Sequence, residues 1–356
     1  MSIFSQKLWR WGLLAILSVV ITAALLWLHV SAALLLGPML AGIILGVSGA
    51  SLSVPRPCFS LAQSVLGCFI ASSLSLQVLQ DLASFWYLAL ALTLSTLVIS
   101  VLCGKFLARF SALPGNTAIW GILPGGASAM VVVCSDYGAD MRLVAFIQYL
   151  RVVIVVLSMA AISHFYMVDR VSSVAVEIVW FPPLTSDFFI TLAIAIVGCI
   201  LSRYIKIPSG RLLIPMVICV VVQLQGWVQI EVSEWLLALS FAMVGLSAGL
   251  RFNISVLKLA LKALPITLVS IFAIMIFCYF QALFMSSVMD VDFLTAFLAT
   301  SPGGLESSVI IAVETNSSLS IVVPLQILRL FSVLLFGPFI ARYMSRNILS
   351  NNQASV

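Results

Sequence analysis

Histidine and charge are what this sequence has least of. Only His29 and His164 occur in 356 residues, which excludes an imidazole-built metal centre. Charged residues form 8% of the chain, against about 25% in soluble domains. Hydrophobic residues form 63% and the mean hydropathy is +1.23, a balance that excludes a soluble globular fold. The seven cysteines, Cys58, Cys68, Cys103, Cys134, Cys199, Cys219 and Cys278, are scattered singly. No pair has metal-ligand or redox spacing and the count is odd, so they read as small core or lipid-facing residues. Long polar connectors are missing as well. The longest, residues 166–186, is too short for a domain, so the net charge of +5 reflects membrane-flanking loops and not a nucleic-acid surface.

What is there is a series of apolar runs. A membrane crossing needs about 20 mainly apolar residues, and such runs lie near 12–29, 32–48, 60–79, 85–108 and 141–165, then near 186–203, 211–227, 233–250, 263–284 and 319–343. Two shorter, interrupted segments lie near 115–136 and 293–314. Lys7 and Arg10 precede the first run, but it is long and passes almost directly into a second, so it reads as an uncleaved signal anchor.

The runs come in two copies. Pro124-Gly125-Gly126 recurs as Pro302-Gly303-Gly304, and Gln148, Leu150 and Arg151 recur as Gln326, Leu328 and Arg329, always at the same offset of 178. A fixed spacing across these polar and special residues implies internal duplication. Gly67 matches Gly245 at that offset too, and Pro38 matches Pro215 at 177. The expected organisation is a first membrane repeat at 1–165, a connector at 166–186, a second repeat at 187–346 and a polar tail at 347–356.

The placement of cations decides the topology. If all twelve segments crossed, the non-membrane Lys and Arg would divide 8 inside to 7 outside, which is no bias. If each Pro-Gly-Gly segment enters and leaves by one face, 14 fall inside and only Arg170 outside. Each repeat then makes five crossings, and the odd number inverts the second relative to the first. The expected fold is an all-α membrane protein, an inverted repeat of five transmembrane helices plus one Pro-Gly-Gly segment, either re-entrant or crossing as a broken helix. Both termini fall on the cytoplasmic side.

The candidate chemistry gathers at the interruptions. Proline lacks an amide hydrogen, and glycine permits conformations closed to other residues, so the helix must break at Gly125 and Gly126 and again at Gly303 and Gly304. Half-helices starting near Ala127 and Leu305 would aim amide hydrogens and a positive dipole end at a cavity, which favours an anion. Arg151 and Arg329 each lie well inside an apolar helix, too deep to reach an interface easily. Two readings stand open. The guanidiniums clamp an oxyanion through paired donors, or they bond carbonyls of the broken helices, Asp136 or Glu314. Gln148 and Gln326 share a face with their arginines. Ser128 corresponds to Glu306, the one carboxylate near the expected membrane centre, which carries a coupling proton, helps bind sodium or neutralises Arg329. Ser307, Thr117 and Thr295 complete the candidate lining.

Pro-Gly-Gly after a short helix, then an apolar helix bearing Gln-x-x-Arg, duplicated over the chain, resembles the AbrB family of bacterial integral membrane proteins. The resemblance includes Leu36-Gly37-Pro38-Met39, Leu123 to Ala129, Trp180-Phe181-Pro182-Pro183 and Thr300-Ser301-Pro302-Gly303-Gly304. Members are labelled regulators of gene expression and, in some cases, ammonia monooxygenases. Two isolated histidines build no copper or iron site, and no soluble segment is long enough for a DNA-binding domain. The wider group of transporters with paired broken helices makes transport the implied activity, by fold-level analogy. The expectation is a bacterial inner-membrane secondary transporter of a small anionic solute, coupled to proton or sodium. It is not an enzyme and uses no cofactor, metal or nucleic acid; its surroundings are the lipid bilayer, with a homodimer left open. The alternative is a membrane-embedded regulator acting indirectly, through solute sensing or a partner.

Overall fold

The computed structural model describes residues 3–28, 32–49, 52–72, 85–111, 113, 115–124, 134, 139–168, 185–205, 210–252, 254, 261–333, 336 and 339. Among these residues there are thirteen helices and no strand. They are α1 (Ile3–Trp27), α2 (Ala33–Val47), α3 (Arg56–Ser72), α4 (Trp86–Phe110), α5 (Gly115–Ile122), α6 (Met141–Val168), α7 (Ser186–Tyr204), α8 (Gly210–Leu224), α9 (Glu234–Gly249), α10 (Leu264–Met289), α11 (Phe293–Thr300), α12 (Leu305–Glu314) and α13 (Leu319–Val333). The duplication is visible in where helices begin. Ala33 and Gly210 stand at an offset of 177; Arg56 and Glu234, Trp86 and Leu264, Gly115 and Phe293, and Met141 and Leu319 all stand at 178.

Among the described residues, five helical stretches are long and apolar enough to cross a bilayer: Trp9–Trp27, Trp86–Phe110, Met141–His164, Ser186–Tyr204 and Leu264–Met289. The other apolar runs give shorter described stretches: α2 and α9 are helices of 15 and 16 residues, and the described parts of α8 and α13 have 15 each. At 1.5 Å per residue these span about 23 Å, less than the roughly 30 Å of hydrocarbon. The expected ten full-length crossings are thus five long helices and a shorter set among the described residues. Two of the short ones, α2 and α8, carry Pro38 and Pro215 inside the helix. Trp9 and Trp27, 70% and 80% exposed, mark the ends of the first long stretch about 27 Å apart, the spacing of the two interfaces where tryptophan collects. The molecule is a helical membrane protein.

The chain forms two compact units, and each draws on both repeats. The first consists of residues 1–83, 159–254 and 309–320. Its helices pair reciprocally, α2 with α9 and α3 with α8, and they approach through glycine. A side chain at Gly67 would overlap the Leu212 carbonyl, and one at Gly245 would overlap the Leu35 carbonyl. Gly67 and Gly245 match at the 178 offset, Leu35 and Leu212 at 177, so one contact is the other with the repeats exchanged. Small residues bring helix backbones together in lipid, where no hydrophobic force does so. Glu314 lies in this unit too, where its carboxylate accepts from the Ala32 amide at the N-terminus of α2. An acidic group at a helix N-terminus is favourable.

The second unit consists of residues 84–158, 255–308 and 321–356. Its core joins Leu97 of α4, Ile119 and Trp120 of α5, Val144 of α6 and Val333 of α13. Gln281 on α10 joins that helix to α4: its amide nitrogen donates to Leu92 O at 3.0 Å and Ser95 Oγ at 2.6 Å, and its oxygen accepts from Thr96 Oγ1 at 2.9 Å. Asp140 starts α6 by accepting from the amides of Arg142 at 2.8 Å and Leu143 at 3.4 Å, and Asp292 caps α11 in the same manner.

Candidate functional site at the broken helices

Residues 293–314 make one interrupted helix. All eight residues of α11 are buried, the helix stops at Thr300, Ser301 to Gly304 are non-helical, and α12 starts at Leu305 as the sequence predicts. Ser301 has φ −59° and ψ 146°, the extended conformation that a following proline enforces. The glycines act differently from the expectation. Neither Gly303 nor Gly304 has a positive φ; among the described glycines that conformation belongs to Gly49 and Gly226. Among the described residues, a methyl group at Gly304 would meet only Ser307 Oγ, at 3.6 Å. Pro302 and the extended Ser301 suffice to stop the helix, so left-handed glycine is not what breaks it. In the first repeat α5 ends at Ile122, and Leu123 and buried Pro124 are non-helical. Gly125, Gly126, Ser128 and Asp136 lie outside the described residues, as does the side chain of Glu306.

Each break leaves a helix C-terminus whose last carbonyls lack intrahelical partners. The glutamine and arginine of the next long helix supply the donors. Gln148 Nε2 donates to Trp120 O at 2.8 Å and Leu123 O at 3.0 Å, and Arg151 Nη1 donates to Leu123 O at 2.8 Å and Ile122 O at 3.4 Å. In the second repeat Gln326 Nε2 donates to Leu298 O at 2.6 Å and Ser301 O at 3.4 Å. Those carbonyls are the repeat equivalents of Trp120 O and Leu123 O. Arg329 donates through Nη1 to Ser301 O and through Nη2 to Gly303 O at 2.5 Å and to Gln326 Oε1. Gln326 Nε2 also reaches Ser308 Oγ at 3.0 Å.

The sequence-predicted residues Gln148, Arg151, Gln326, Arg329, Gly303, Gly304 and Ser307 therefore all belong to the second unit. Arg151 is 2% exposed and Arg329 6%, and the two guanidiniums lie within electrostatic range of each other. Cations at helix C-termini interact favourably with the dipole, which is why two charges can be held here. Every hydrogen bond described for the two guanidiniums runs to a backbone carbonyl or to Gln326 Oε1. Of the two carboxylates considered as partners, Asp136 lies outside the described residues and Glu314 accepts from the Ala32 amide. Ser307 is buried with its Oγ donating to Gly304 O at 3.0 Å. Thr117 and Thr295 are buried; Thr117 Oγ1 accepts from the Asp140 amide at 3.1 Å and so ties α5 to the start of α6.

Sequence reasoning missed the cap's neighbours. Thr300 Oγ1 bonds Ala296 O at 2.9 Å and Cys278 O at 3.3 Å, fastening the broken segment to α10. Cys278 gave no spacing signal, because its contribution is a backbone carbonyl.

Comparison with known proteins gives the family. A family model described as transition state regulatory protein AbrB matches residues 34–345. A protein of Escherichia coli (strain K12) named "Putative regulator AbrB" is 44% identical over 336 residues, covering 94% of this chain and 97% of that one. The uncharacterized protein YhjN of Bacillus subtilis (strain 168) is 26% identical over 303 residues, 80% of this chain and 78% of its own. With a matching model across most of the sequence and a near full-length relative at 44% identity, the chain belongs to the AbrB family.

Proposed function

We propose that the protein is a secondary transporter of a small anionic solute in the bacterial inner membrane. The observation that carries this reading is the break between α11 and α12, beside buried Arg329. All three acceptors described for that guanidinium, two backbone carbonyls and an amide oxygen, are neutral. A buried cation with neutral acceptors keeps its charge, and the ten-residue helix α12 starts at the same break with its amide hydrogens and positive dipole end. Both favour a negative guest. Arg329 contributes its field, Arg151 does the same at the other break, and Ser307 and the Gly303-Gly304 backbone line the approach. By sequence offset Gly125 and Gly126 are the first-repeat counterparts of Gly303 and Gly304, and Ser128 is the counterpart of Glu306.

The 14-to-1 distribution of cations supports inverted repeats with cytoplasmic termini. Glu306, in the first turn of α12, is the coupling site in this reading, carrying a proton or helping to bind sodium. No chemical conversion is involved.

Uptake into proteoliposomes tests the proposal. A labelled small carboxylate should accumulate when a proton or sodium gradient is imposed. Arg329→Gln should reduce accumulation about 100-fold or more, as expected for a lost buried charge, while the exposed Arg203→Ala leaves it unchanged. Equal uptake by Arg329→Gln and the parent would refute the site.

The relatives' descriptions favour a second reading. The family model and the E. coli protein are both described as regulators, so a membrane-embedded sensor that acts on gene expression through its solute or a partner is the alternative. It predicts solute binding without accumulation, together with altered transcription in a deletion strain.

A further inference from the structure

The two capping glutamines are unequally satisfied. Gln326 is complete, since its Nε2 has Leu298 O, Ser301 O and Ser308 Oγ while its Oε1 accepts from Arg329. Gln148 holds the equivalent carbonyls, but its Oε1 is buried and meets no donor among the described residues. Flipping the amide gives no escape: it would turn the oxygen toward the carbonyls of Trp120 and Leu123 and lose both bonds. The residue is wholly buried, and a membrane interior offers little water to fill the gap. Native interiors leave few such groups, and those they leave call for an explanation.

A donor is the natural complement. A metal ion at the same oxygen would face Arg151 three residues on and Arg329 within electrostatic range of it, whereas an O–H or N–H adds no charge.

We propose that Gln148 Oε1 is a specificity-determining acceptor for the solute: it takes a hydrogen bond from an O–H or N–H group, so the preferred solute is a small carboxylate bearing a hydroxyl or amino substituent. This rests on the transport reading above. In the same division of labour the second repeat, with its glutamine satisfied, is the fixed half of the site. The first repeat reads the solute.

The test uses the full chain in proteoliposomes and acids that differ only in the donor: 2-hydroxypropanoate against propanoate, and hydroxybutanedioate against butanedioate. A buried acceptor left unpaired by the deoxy acid should give a preference of about 10- to 100-fold for the hydroxy member. Gln148→Met, which keeps the length of the side chain and removes the oxygen, should bring that preference within about threefold. Arg203→Ala, exposed and outside the site, should leave the preference at the parent value. Size-exclusion profiles of both variants establish that they are folded, and the comparison of paired acids in the parent protein needs no variant. Equal uptake of both members by the parent, or a preference that survives Gln148→Met, would overturn the role of Gln148 and leave transport standing. Absence of uptake for every acid would overturn transport itself, and this inference with it.

Discussion

In the first unit helices are joined by side chains that are absent; in the second they are joined by polar groups that must be answered. Gly67 and Gly245 admit a neighbouring backbone carbonyl where any Cβ would overlap it, and the contact recurs with the repeats exchanged. The second unit instead leaves helix ends inside the protein and satisfies them with Gln148, Arg151, Gln326 and Arg329. Close packing of small residues resists deformation, whereas a capped break holds its shape only while the cap is intact.

The largest effect should come from filling the glycine contacts. Gly67→Leu or Gly245→Leu forces helices apart along a backbone contact and should lower stability by roughly 3 kcal/mol, enough to lose monodisperse protein from detergent extracts. A variant that extracts and unfolds like the parent would break the distinction. Next comes Arg329→Ala, which strips donors from Ser301 O and Gly303 O. Reversible unfolding in mixed micelles should show a loss of about 2–3 kcal/mol, with Arg329→Lys recovering part of it. Smaller still is the difference between the glutamines. Gln326→Leu should cost about 1 kcal/mol more than Gln148→Leu, because Gln326 also serves Ser308 and Arg329. An equal or reversed order would contradict the asymmetry. The smallest effect belongs to Gly304→Ala, expected within about 0.5 kcal/mol since the added methyl meets only ordinary contact and the backbone is not left-handed. A large loss there, measured by the same unfolding, would mean the break depends on glycine after all.

Much of this could be read from the letters. Pro302 has no amide hydrogen, so the interruption and the restart at Leu305 followed from the sequence, and the close spacing of Gln and Arg placed both on one face. What their side chains bond was not legible. The acceptors are carbonyls of Trp120, Leu123, Leu298 and Ser301, and every residue has a carbonyl, so no residue type marks them. The glycine contacts were half legible: the match of Gly67 with Gly245 was visible, but an ordinary packing role could not be told from a carbonyl contact without its partner. The compact units were not legible either, because the repeat fixes order along the chain while packing decides which copy meets which. Cys68 and Cys219 illustrate the same gap. They belong to different repeats, on the paired helices α3 and α8, and both are buried.

The reciprocal seating of α2 on α9 and of α3 on α8 binds the fate of the two gene halves together. A polypeptide severed within residues 169–184 would yield fragments that each hold only one side of every such pair, so neither alone can complete either body. Production from two separate open reading frames should restore assembly only when both are translated in the same cell. A mutation that widens one seat is best offset by a change in the opposite half.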